Sequence, residues 1–474
     1  MNSEEQTGGT SRPQLTVLTE PGIEEIHQGA CEILSSSGVM VRSKKAQALL
    51  RDAGATIKKD DIVLIPREVI EEALEKAPGR VPLYNSEGGN RLNIGGDENY
   101  FCANVDCPDF LEVNGKSRRD FKYADAAKTA TIVENLANID TVQPTGLLSD
   151  IDSSVSDLYS VRQMMANTKK PIVATANTPE SLGKMIEMAS EVVGGREKLR
   201  EKPYLALLSE PISPLKHEKE TTNVILKAAK EDIPIVCYPM PMAGSTAPAS
   251  IAGTLAQAHA EEMSALAIIQ LANPGSAMLY GAVASTMDMQ SAIFSYGAPE
   301  LNLMSGALAD IAHHFDLPIW GTSGTTDTKS LDLQAATEIS MQVMTAALSG
   351  ADLVHDNGLM DQASLIDLKH YVLTNEIIGL AKKMASGLGL SEDDLALDVI
   401  SDVGPGGHFL KEGHTMENFR NFWMPDLFDR SGVGEDVNSI EERLKDVVKE
   451  KLSENDQPLM DTEKLNTLDE IIER

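Results

Sequence analysis

The sequence is poor in several residue types that mark particular classes of protein. Its 474 residues include only four cysteines, which is too few for a disulfide framework and favours a reducing compartment. Cys102 and Cys107 are close in sequence, but no second Cys or His pair follows at the spacing of a zinc site. The sequence therefore predicts no bound metal.

Basic residues are also scarce. The chain has 41 Lys and Arg against 72 Asp and Glu, a formal net charge of −31, and no basic block offsets it. Such a surface repels nucleic acid and anionic lipid. The stretch MNSEEQTGGTSRPQ lacks the parts of a signal peptide, and no apolar run reaches the roughly 20 residues of a membrane span. We expect a soluble, cytoplasmic protein that binds neither nucleic acid nor membrane.

What the sequence does contain is a repeated alternation of short apolar segments and longer helical patterns. Segments apolar on both faces predict parallel strands that are buried on both sides. The predicted strands are 139–146, 171–177, 204–210, 234–240, 277–283, 318–324, 351–358 and 396–404. Eight strand–helix units predict a (β/α)8 TIM barrel. A doubly wound open sheet is the alternative, but it would need a phosphate-binding turn after its first strand, and QPTGLLSD is not one.

The regions on either side of this repeat differ from it. Residues 1–135 combine amphipathic helical patterns with short strands and turns, and we interpret them as an N-terminal accessory region of helices and β-hairpins. Residues 136–430 form the predicted barrel domain. Residues 431–474 are charged and helical in pattern, which predicts an acidic C-terminal tail that serves packing or oligomerisation.

The loop WGTSGTTDTK (residues 320–329) has the composition of a phosphate-binding loop but not its order. A P-loop places Lys directly after glycine, whereas Asp327 and Thr328 here separate the last glycine from Lys329. In the predicted barrel this loop follows the sixth strand, so we expect Thr325, Thr326 and Asp327 to face the pocket.

The active site of a β/α barrel lies at the carboxyl ends of its strands, so the polar and aromatic residues there are the candidates. Glu210 is either a pocket carboxylate or the cap of the next helix, and His355 is either a ligand-binding or a satisfied core histidine. His408 follows two glycines that allow close backbone approach. Aromatic faces together with carboxylates suit a cationic ligand such as a quaternary ammonium. The sequence has no metal-ligand cluster and no nucleophile elbow, which disfavours hydrolysis and acyl transfer.

Several motifs resemble the trimethylamine methyltransferase superfamily over roughly residues 20 to 450. They are SEPISPL, PMAGSTAPASIAGTLAQAHAEEMSALAIIQLANPGSAMLYG, SGALADIAHHFDLPIWGTSGTTDTKSLDLQAA, ALSGADLVHDNG and VGPGGHFLKEGHT. The resemblance implies a TIM barrel that removes a methyl group from a methylated amine and passes it to a separate corrinoid protein. No cofactor is then bound permanently, because the cobalamin-type corrinoid belongs to the partner.

One departure from the family pattern bears on the substrate. Archaeal trimethylamine members carry pyrrolysine in the loop corresponding to GTSGTTDTK, whereas this chain has Thr325 at or next to that position. The resemblance thus implies the non-pyrrolysine branch, whose members use betaines, and we expect glycine betaine as the substrate. Proline betaine, carnitine, another betaine, or a barrel that only binds a betaine without catalysis are the alternatives.

The expected site follows from these assignments. We expect the methylammonium to be contacted by some of Tyr100, Tyr280, Trp320 and Phe409, with Glu210 and Thr325 lining the same pocket. His355 and His408 are the expected donors to the betaine carboxylate. We expect no residue to act by proton transfer or covalent catalysis. The chain is expected to bind a cognate corrinoid protein, and homo-oligomers are possible.

Overall fold

Two parallel β-sheets form the centre of this α/β protein. The structure, a computed structural model, describes residues 10–113, 117–434, 437–454 and 457–474. The first sheet has four strands, in the order Ile172–Ala174, Leu205–Ser209, Ile235–Cys237 and Met278–Leu279. The second has three, in the order Trp320–Thr322, Leu353–Asn357 and Tyr100–Ala103. Nearly every residue in these strands is buried, as expected for parallel strands with both faces covered.

Isolated parallel bridges connect the edges of the two sheets. The bridged pairs are Cys102 with Thr141, Val142 with Ile172, and Tyr280 with Ile319. Residues 141 and 142 therefore lie between the two sheets at one edge, and residues 280 and 319 join the sheets at the other. The continuous ladders themselves form two sheets rather than one closed barrel.

The structure confirms six of the predicted strands, each shorter than its apolar segment. The segment 139–146 contributes only three isolated bridge residues, Thr141, Val142 and Gly146. The prediction of an eighth strand at 396–404 is wrong, because residues Leu397–Val403 form a helix with no buried residue. A short apolar run can form either element, and here the residues before it, with a capping box at Ser391, begin a helical segment.

The strand Tyr100–Ala103 supplies the sheet position that 396–404 was expected to fill. All four of its residues are buried, and it pairs in parallel with Leu353–Asn357. The sequence analysis assigns this strand to the accessory region of residues 1–135, outside the repeat. The division of the chain at residues 135 and 430 remains a prediction, but this pairing joins part of the first region to the central sheets.

Helices cover the outer faces of the sheets. They span Tyr123–Glu134, Ser156–Asn167, Pro179–Val193, Arg196–Glu201, Lys219–Lys230, Ile251–Ala272, Pro299–His314, Leu333–Ser349 and Leu368–Ala385. Their ends follow local sequence rules: the side chain of Asp332 accepts from two backbone N–H groups at the start of Leu333–Ser349, and Gly350 ends that helix in the left-handed conformation. The helix Ile251–Ala272 is apolar all round because other helices pack over its outer side.

The N-terminal region packs on that long helix. It contains the helices Glu20–Glu32, Lys44–Asp52 and Arg67–Lys76, a π-helix at Ile33–Ser37 and a 3-10 turn at Lys59–Asp61. Its short strands are Thr10–Ser11, Val39–Val41, Thr56–Ile57, Ile62–Leu64, Val81–Leu83 and Leu92–Ile94. Antiparallel pairs join Thr56–Ile57 to Ile62–Leu64 and Val81–Leu83 to Leu92–Ile94.

Further strands extend from the carboxyl side of the central sheets. They are Asp109–Leu111, Arg118–Asp120, Lys216–His217, Met242–Ala243, Ser285–Asp288, Ile293–Phe294, Leu359–Met360 and Leu365–Asp367. The antiparallel hairpin of Ser285–Asp288 and Ile293–Phe294 is followed directly by residues 295–297, which become important below.

The C-terminal part has two contrasting sections. From residue 388 to 424 no residue is buried, and the elements are the strand Leu388–Gly389, three short helices, Glu392–Leu395, Leu397–Val403 and Gly413–Asn418, and a 3-10 turn, Phe419–Asn421. The helices Ile440–Glu454 and Thr462–Glu473 then pack back on the outer helices, with Arg162 Nε 2.8 Å from Asp469 Oδ1. Within the described residues, no helix has the length and apolar character to cross a bilayer.

Candidate functional site

Three carboxylates lie at the carboxyl edge of the central strands. Asp106 follows Tyr100–Ala103, Glu210 follows Leu205–Ser209, and Asp356 lies within Leu353–Asn357. The side chains of Asp106 and Glu210 accept no hydrogen bond from the described residues, and the buried Oδ2 of Asp356 has no partner either. Carboxylates without donors are costly in a protein interior, so this set needs a reason other than fold stability.

The charges of these groups influence one another. Burial raises the pKa of Glu210 to about 7, and the negative charges of Asp106 and Asp356 add to the rise. Burial likewise raises the pKa of Asp106 to about 6. The Glu210 side chain is nevertheless accessible to solvent and Asp106 is half-buried, so both line a recess that protein surrounds and water reaches. No Lys or Arg contributes to either pKa, so no basic side chain of the described residues balances the acids.

Aromatic rings pack beside the carboxylates. The Trp320 indole stacks on the His355 imidazole with ring centres 4.8 Å apart, and the Tyr238 ring meets the same imidazole edge-on at 4.6 Å. His355 Nε2 lies 3.2 Å from Thr322 Oγ1. His355 Nδ1 is 2.8 Å from Asp356 Oδ1, but its direction does not make a hydrogen bond. This places an imidazole between two aromatic faces and a carboxylate.

A second tyrosine comes from outside the central strands. Tyr296 follows the hairpin of residues 285–294 and is buried. Its pKa is raised by burial first and then by the charges of Asp356 and Glu210, so the phenol lies within electrostatic range of both carboxylates. The hydroxyls of Tyr296 and Tyr238 make no hydrogen bond with the described residues. Both are therefore available to a ligand.

Other buried polar atoms in or after the same strands also lack partners. They are Gln143 Oε1, Ser209 Oγ and Trp320 Nε1. Two of the three acids also have a strained backbone, since φ is +54° at Asp106 and +68° at Asp356. Such strain persists where the surrounding structure holds it, and it concentrates at functional sites. Unpartnered polar atoms together with backbone strain identify this edge as the candidate binding site.

The structure brings together three of the predicted site residues: Glu210, Trp320 and His355. Glu210 does not cap the following helix, because Lys219–Lys230 begins at Glu218 and receives no side-chain cap. Thr325 is buried, and its hydroxyl donates to Gln342 Oε1 on the helix Leu333–Ser349 at 2.8 Å. Thr325 thus contacts the wall behind the loop through its polar atom.

Two predicted aromatic residues point elsewhere. The Tyr280 hydroxyl lies 3.0 Å from His259 Nδ1, so this side chain faces the helix Ile251–Ala272. Tyr100 begins its strand, and its hydroxyl donates to Glu98 Oε2 at 2.6 Å, at the edge opposite the carboxylates. The alternation of side chains along a strand decides which face a residue occupies, and position at a strand alone does not reveal it.

His408 and Phe409 are also apart from this site. Both are exposed and lie beyond the helix Leu397–Val403, in the section where no residue is buried. They were chosen because 396–404 was taken for a strand, so the error in the strand carried over to them. Nothing in the described structure brings either residue to the carboxylates.

The sequence analysis missed Asp106 and Tyr296 and gave no binding role to Tyr238 or Asp356. Asp106 was available from the pattern of NYFCANVD, an apolar strand followed by a polar end, like the strands that were recognised. Tyr296 carried no such signal, because a hairpin of variable path delivers it. Within the described ranges, no three or more His, Cys, Asp or Glu side chains stand close enough to hold a metal ion.

Comparison with known proteins identifies the fold and the family of this chain. Among solved structures, the monomethylamine methyltransferase of Methanosarcina barkeri is similar in fold, with a TM-score of 0.50, 13% identity and coverage of 93% of this chain and 95% of that one. The family model for trimethylamine methyltransferase (MTTB) matches residues 3–474. The chain belongs to this family and is a methyltransferase.

Two similar proteins carry names with different substrates. The chain is 31% identical over 429 residues to a glycine betaine methyltransferase of Desulfitobacterium hafniense (strain Y51), covering 89% of this chain and 88% of that protein. It is 28% identical over 453 residues to a trimethylamine methyltransferase of Methanosarcina barkeri (strain Fusaro / DSM 804), covering 93% and 90%.

Proposed function

We propose that the protein transfers a methyl group from a quaternary amine to the Co(I) corrinoid of a partner protein. Glycine betaine is the proposed substrate and dimethylglycine the product, with proline betaine, carnitine or another betaine as the alternatives. The similarity to a glycine betaine methyltransferase supports this choice over the trimethylamine relatives at slightly lower identity.

The observation that carries the proposal is a set of three carboxylates in which no Lys or Arg acts on Asp106 or Glu210 and only the His355 imidazole lies beside Asp356. A trimethylammonium group has no N–H to donate, so a protein holds it with negative charge and aromatic faces. Asp106, Glu210 and Asp356 supply the charge, and Tyr238 and Tyr296 supply faces beside it. The substrate cation would neutralise Asp106 and Glu210, on which no Lys or Arg of the described structure acts.

In this reaction the residues of the chain position the substrate and do not transfer a proton. The corrinoid of the partner supplies the Co(I) nucleophile that takes the methyl group, while the substrate nitrogen leaves with its electron pair as a neutral tertiary amine. The residues of this chain hold one N-methyl group towards the open edge and keep water from the reacting line. This agrees with a site that has carboxylates and aromatic rings but no nucleophile–base pair.

The betaine carboxylate needs donors in the same recess. Trp320 Nε1 and the hydroxyls of Tyr238 and Tyr296 are donors without acceptors in the described structure. His355, which the sequence already suggested, adds an imidazole beside them. Leaving a carboxylate unpaired costs at least about 1–3 kcal/mol, so we propose that some of these donors bind it.

We also propose that the two sheets form one eight-stranded barrel. Each of the three bridges between their edges is parallel, as closure requires. Residues 141–142 would then be the strand between Tyr100–Ala103 and Ile172–Ala174. The carboxyl edge of such a ring is where ligand sites form, and it is the edge that carries the three acids.

A separate surface supports a proposal about association with a second copy of the chain. Eleven large apolar side chains are between 42% and 78% exposed, namely Leu388, Leu390, Leu395, Leu397, Ile400, Phe409, Leu410, Met416, Phe419, Phe422 and Met424. Monomers rarely leave large apolar surfaces uncovered, so exposed apolar side chains concentrated in one section of the chain are typical of a protein contact. Six of these side chains lie within 403–424, where Lys411 and Arg420 balance Glu412 and Glu417, whereas 388–402 has five acids and no base.

Self-association is tested by measuring mass. Light scattering of the wild-type protein should give a multiple of 51.1 kDa. Leu410→Glu combined with Phe422→Glu should reduce that mass, while Leu333→Glu, an exposed leucine on another surface, should leave it unchanged. A monomeric wild-type protein, or an unchanged double variant, would contradict the proposal.

The catalytic proposal is tested with reduced cobalamin as the acceptor. With the right betaine, the visible spectrum should change from cob(I)alamin to methylcobalamin, and the demethylated amine should accumulate in equal amount. Trimethylamine should give no turnover, because the chain lacks pyrrolysine in its loop. Binding of a betaine by calorimetry without turnover, with the cognate corrinoid protein also supplied, would favour the binding protein instead.

A further inference from the structure

The loop after Trp320–Thr322 is bonded to the segment that carries Tyr296. Asp327 Oδ1 accepts from the Tyr296 N–H at 2.9 Å, and Asp327 Oδ2 accepts from the Gly297 N–H at 2.8 Å and from Ser295 Oγ at 2.9 Å. One carboxylate therefore binds three successive residues. Hydrogen bonds to a charged acceptor are the stronger kind, so this contact fixes the path of the chain on both sides of Tyr296.

A second side chain holds the same segment from the opposite direction. Gln342 Nε2 donates to the Tyr296 carbonyl at 2.9 Å, and Gln342 Oε1 accepts from the N–H and the hydroxyl of Thr325, both at 2.8 Å. Glu338 anchors the loop to the same helix by accepting from the Asp327 N–H at 3.0 Å. Gln342 and Thr325 are buried, so water does not compete for these bonds.

The arrangement leaves the Tyr296 side chain free while its backbone is fully bonded. Its N–H and carbonyl both have partners on the loop or on Leu333–Ser349, whereas its hydroxyl has none among the described residues. Gly297 fits the same contact, because a Cβ there would overlap the Glu338 carboxylate. The bonds thus determine where the phenol lies relative to the carboxylates.

From these contacts we infer that Asp327 and Gln342 are positioning residues, which act through the Tyr296 backbone to hold its ring at the substrate cation. This gives the loop 320–329 a role that its phosphate-loop composition did not suggest. The inference rests on the proposed function for the identity of the ligand, but the clamp itself consists of bonds that exist without ligand.

The clamp is tested first without any substrate, by hydrogen–deuterium exchange of residues 293–298. Asp327→Ala should speed exchange at Tyr296 and Gly297 by at least about tenfold, since each amide loses a charged acceptor. Asp327→Asn keeps one acceptor oxygen and should give a smaller increase. The control is Asp461→Ala, which removes an aspartate that caps the separate helix Thr462–Glu473 and contacts neither the loop nor residues 295–297. Unchanged exchange in both Asp327 variants would overturn the inference.

The second test asks whether Asp327 affects ligand binding through Tyr296. Calorimetry with tetramethylammonium and with glycine betaine should show about 3- to 10-fold weaker binding in Asp327→Ala, within the range of a displaced aromatic contact. In a Tyr296→Leu background the same change should cost less than about twofold, because coupled residues are not additive. Equal losses in both backgrounds would overturn the positioning role. If the wild type binds neither ligand, the proposed function fails, and the exchange experiment still decides the clamp.

Discussion

Two regions of the molecule are unusual in opposite ways: the carboxyl edge of the strands in its buried polar atoms, and the section from 388 to 424 in its exposed apolar side chains. At the strand edge, polar atoms are buried without partners: Asp356 is 1% exposed and Gln143 is fully buried. In the later section, apolar side chains are exposed without cover: Leu410 is 78% exposed and Phe422 is 68% exposed. Buried polar groups without partners indicate a site for a small polar ligand. Exposed apolar side chains indicate a surface that binds another protein.

This difference explains why the two regions were merged in the sequence analysis. VGPGGHFLKEGHT contains the glycines, histidine and aromatic residue that a binding loop would have, so His408 and Phe409 were assigned to the pocket. Only burial separates the two cases, and burial depends on the path of the whole chain. Each prediction below therefore compares a variant at the carboxyl edge with a variant in another region or on the other face of a strand.

The largest effect is expected when a charge is removed from the strand edge. Glu210→Gln should lower kcat/KM for a quaternary amine about 10- to 100-fold, because a charge pair at 4 Å is worth about 4 kcal/mol at a dielectric constant of 20 and water in the recess screens part of it. Steady-state methylation of cob(I)alamin measures the change. Glu218→Gln, at a partly buried surface carboxylate paired with Lys216, is the matched control and should leave the rate unchanged. A loss of less than twofold in Glu210→Gln would remove the carboxylate from the site.

A pH effect of up to about tenfold should accompany that charge. The pKa of Glu210 is raised to about 7 by burial and by Asp106 and Asp356. The cation binds the ionised form, so affinity for tetramethylammonium should fall as pH decreases from 8 to 6. Asp106 faces the same recess, and because burial raises its pKa to about 6 it adds a smaller charge change at the low end of this range, whereas the raised pKa values of Tyr238 and Tyr296 keep both hydroxyls neutral. The pH dependence should flatten in Glu210→Gln, and an equally steep profile there would assign it to another group.

The same pKa makes a prediction for stability with the opposite sign. A carboxyl whose pKa is higher in the folded state stabilises the fold when protonated, so the Glu210 contribution is present at low pH and is lost as pH rises through about 7. Without ligand, the Tm of the wild type should fall relative to that of Glu210→Gln between pH 5 and pH 8. Tetramethylammonium should restore much of the difference at pH 8, and a Tm difference that does not change with pH would contradict the raised pKa.

A smaller effect on KM is expected when one aromatic side chain at the site is replaced by an aliphatic one. Tyr238→Leu should raise KM about 2- to 30-fold, since a cation–π contact contributes about 0.5–2 kcal/mol. Tyr280→Phe keeps a ring at a strand end that faces the helix Ile251–Ala272, so its KM should not change. Steady-state kinetics of both variants test the assignment of faces. A rise in KM for Tyr280→Phe alone would reverse it.

Much of the fold was within reach of the sequence because it depends on local patterns. Six strands and the helices between them were recognisable from apolar runs and periodicity, and Gly350 and Asp332 mark helix ends by local chemistry. The strand Tyr100–Ala103 was seen as a strand, but its partner Leu353–Asn357 lies about 250 residues away, and no local pattern predicts such pairing.

The site was only partly within reach for the same reason. Glu210, Trp320 and His355 were predicted because the carboxyl ends of parallel strands must share an edge. Tyr280 was misassigned because a strand end does not reveal which face a side chain occupies. Tyr296 could not be found at all, since its position depends on Asp327 and Gln342, residues separated from it by 31 and 46 positions.

The smallest effect is expected in the exposed apolar section. His408→Ala and Phe409→Leu should leave KM for every quaternary amine within about twofold of the wild-type value, because both residues are exposed and apart from the carboxylates. Phe409→Glu should instead lower the mass measured by light scattering, because a charge there opposes the proposed contact between copies. A rise in KM for Phe409→Leu would mean that residues 388–424 of one copy contact the binding site of a second copy. That rise should then disappear at protein concentrations at which the wild type is monomeric. A rise that persists in the monomer would place Phe409 in the pocket of its own chain and abolish the contrast between the two regions.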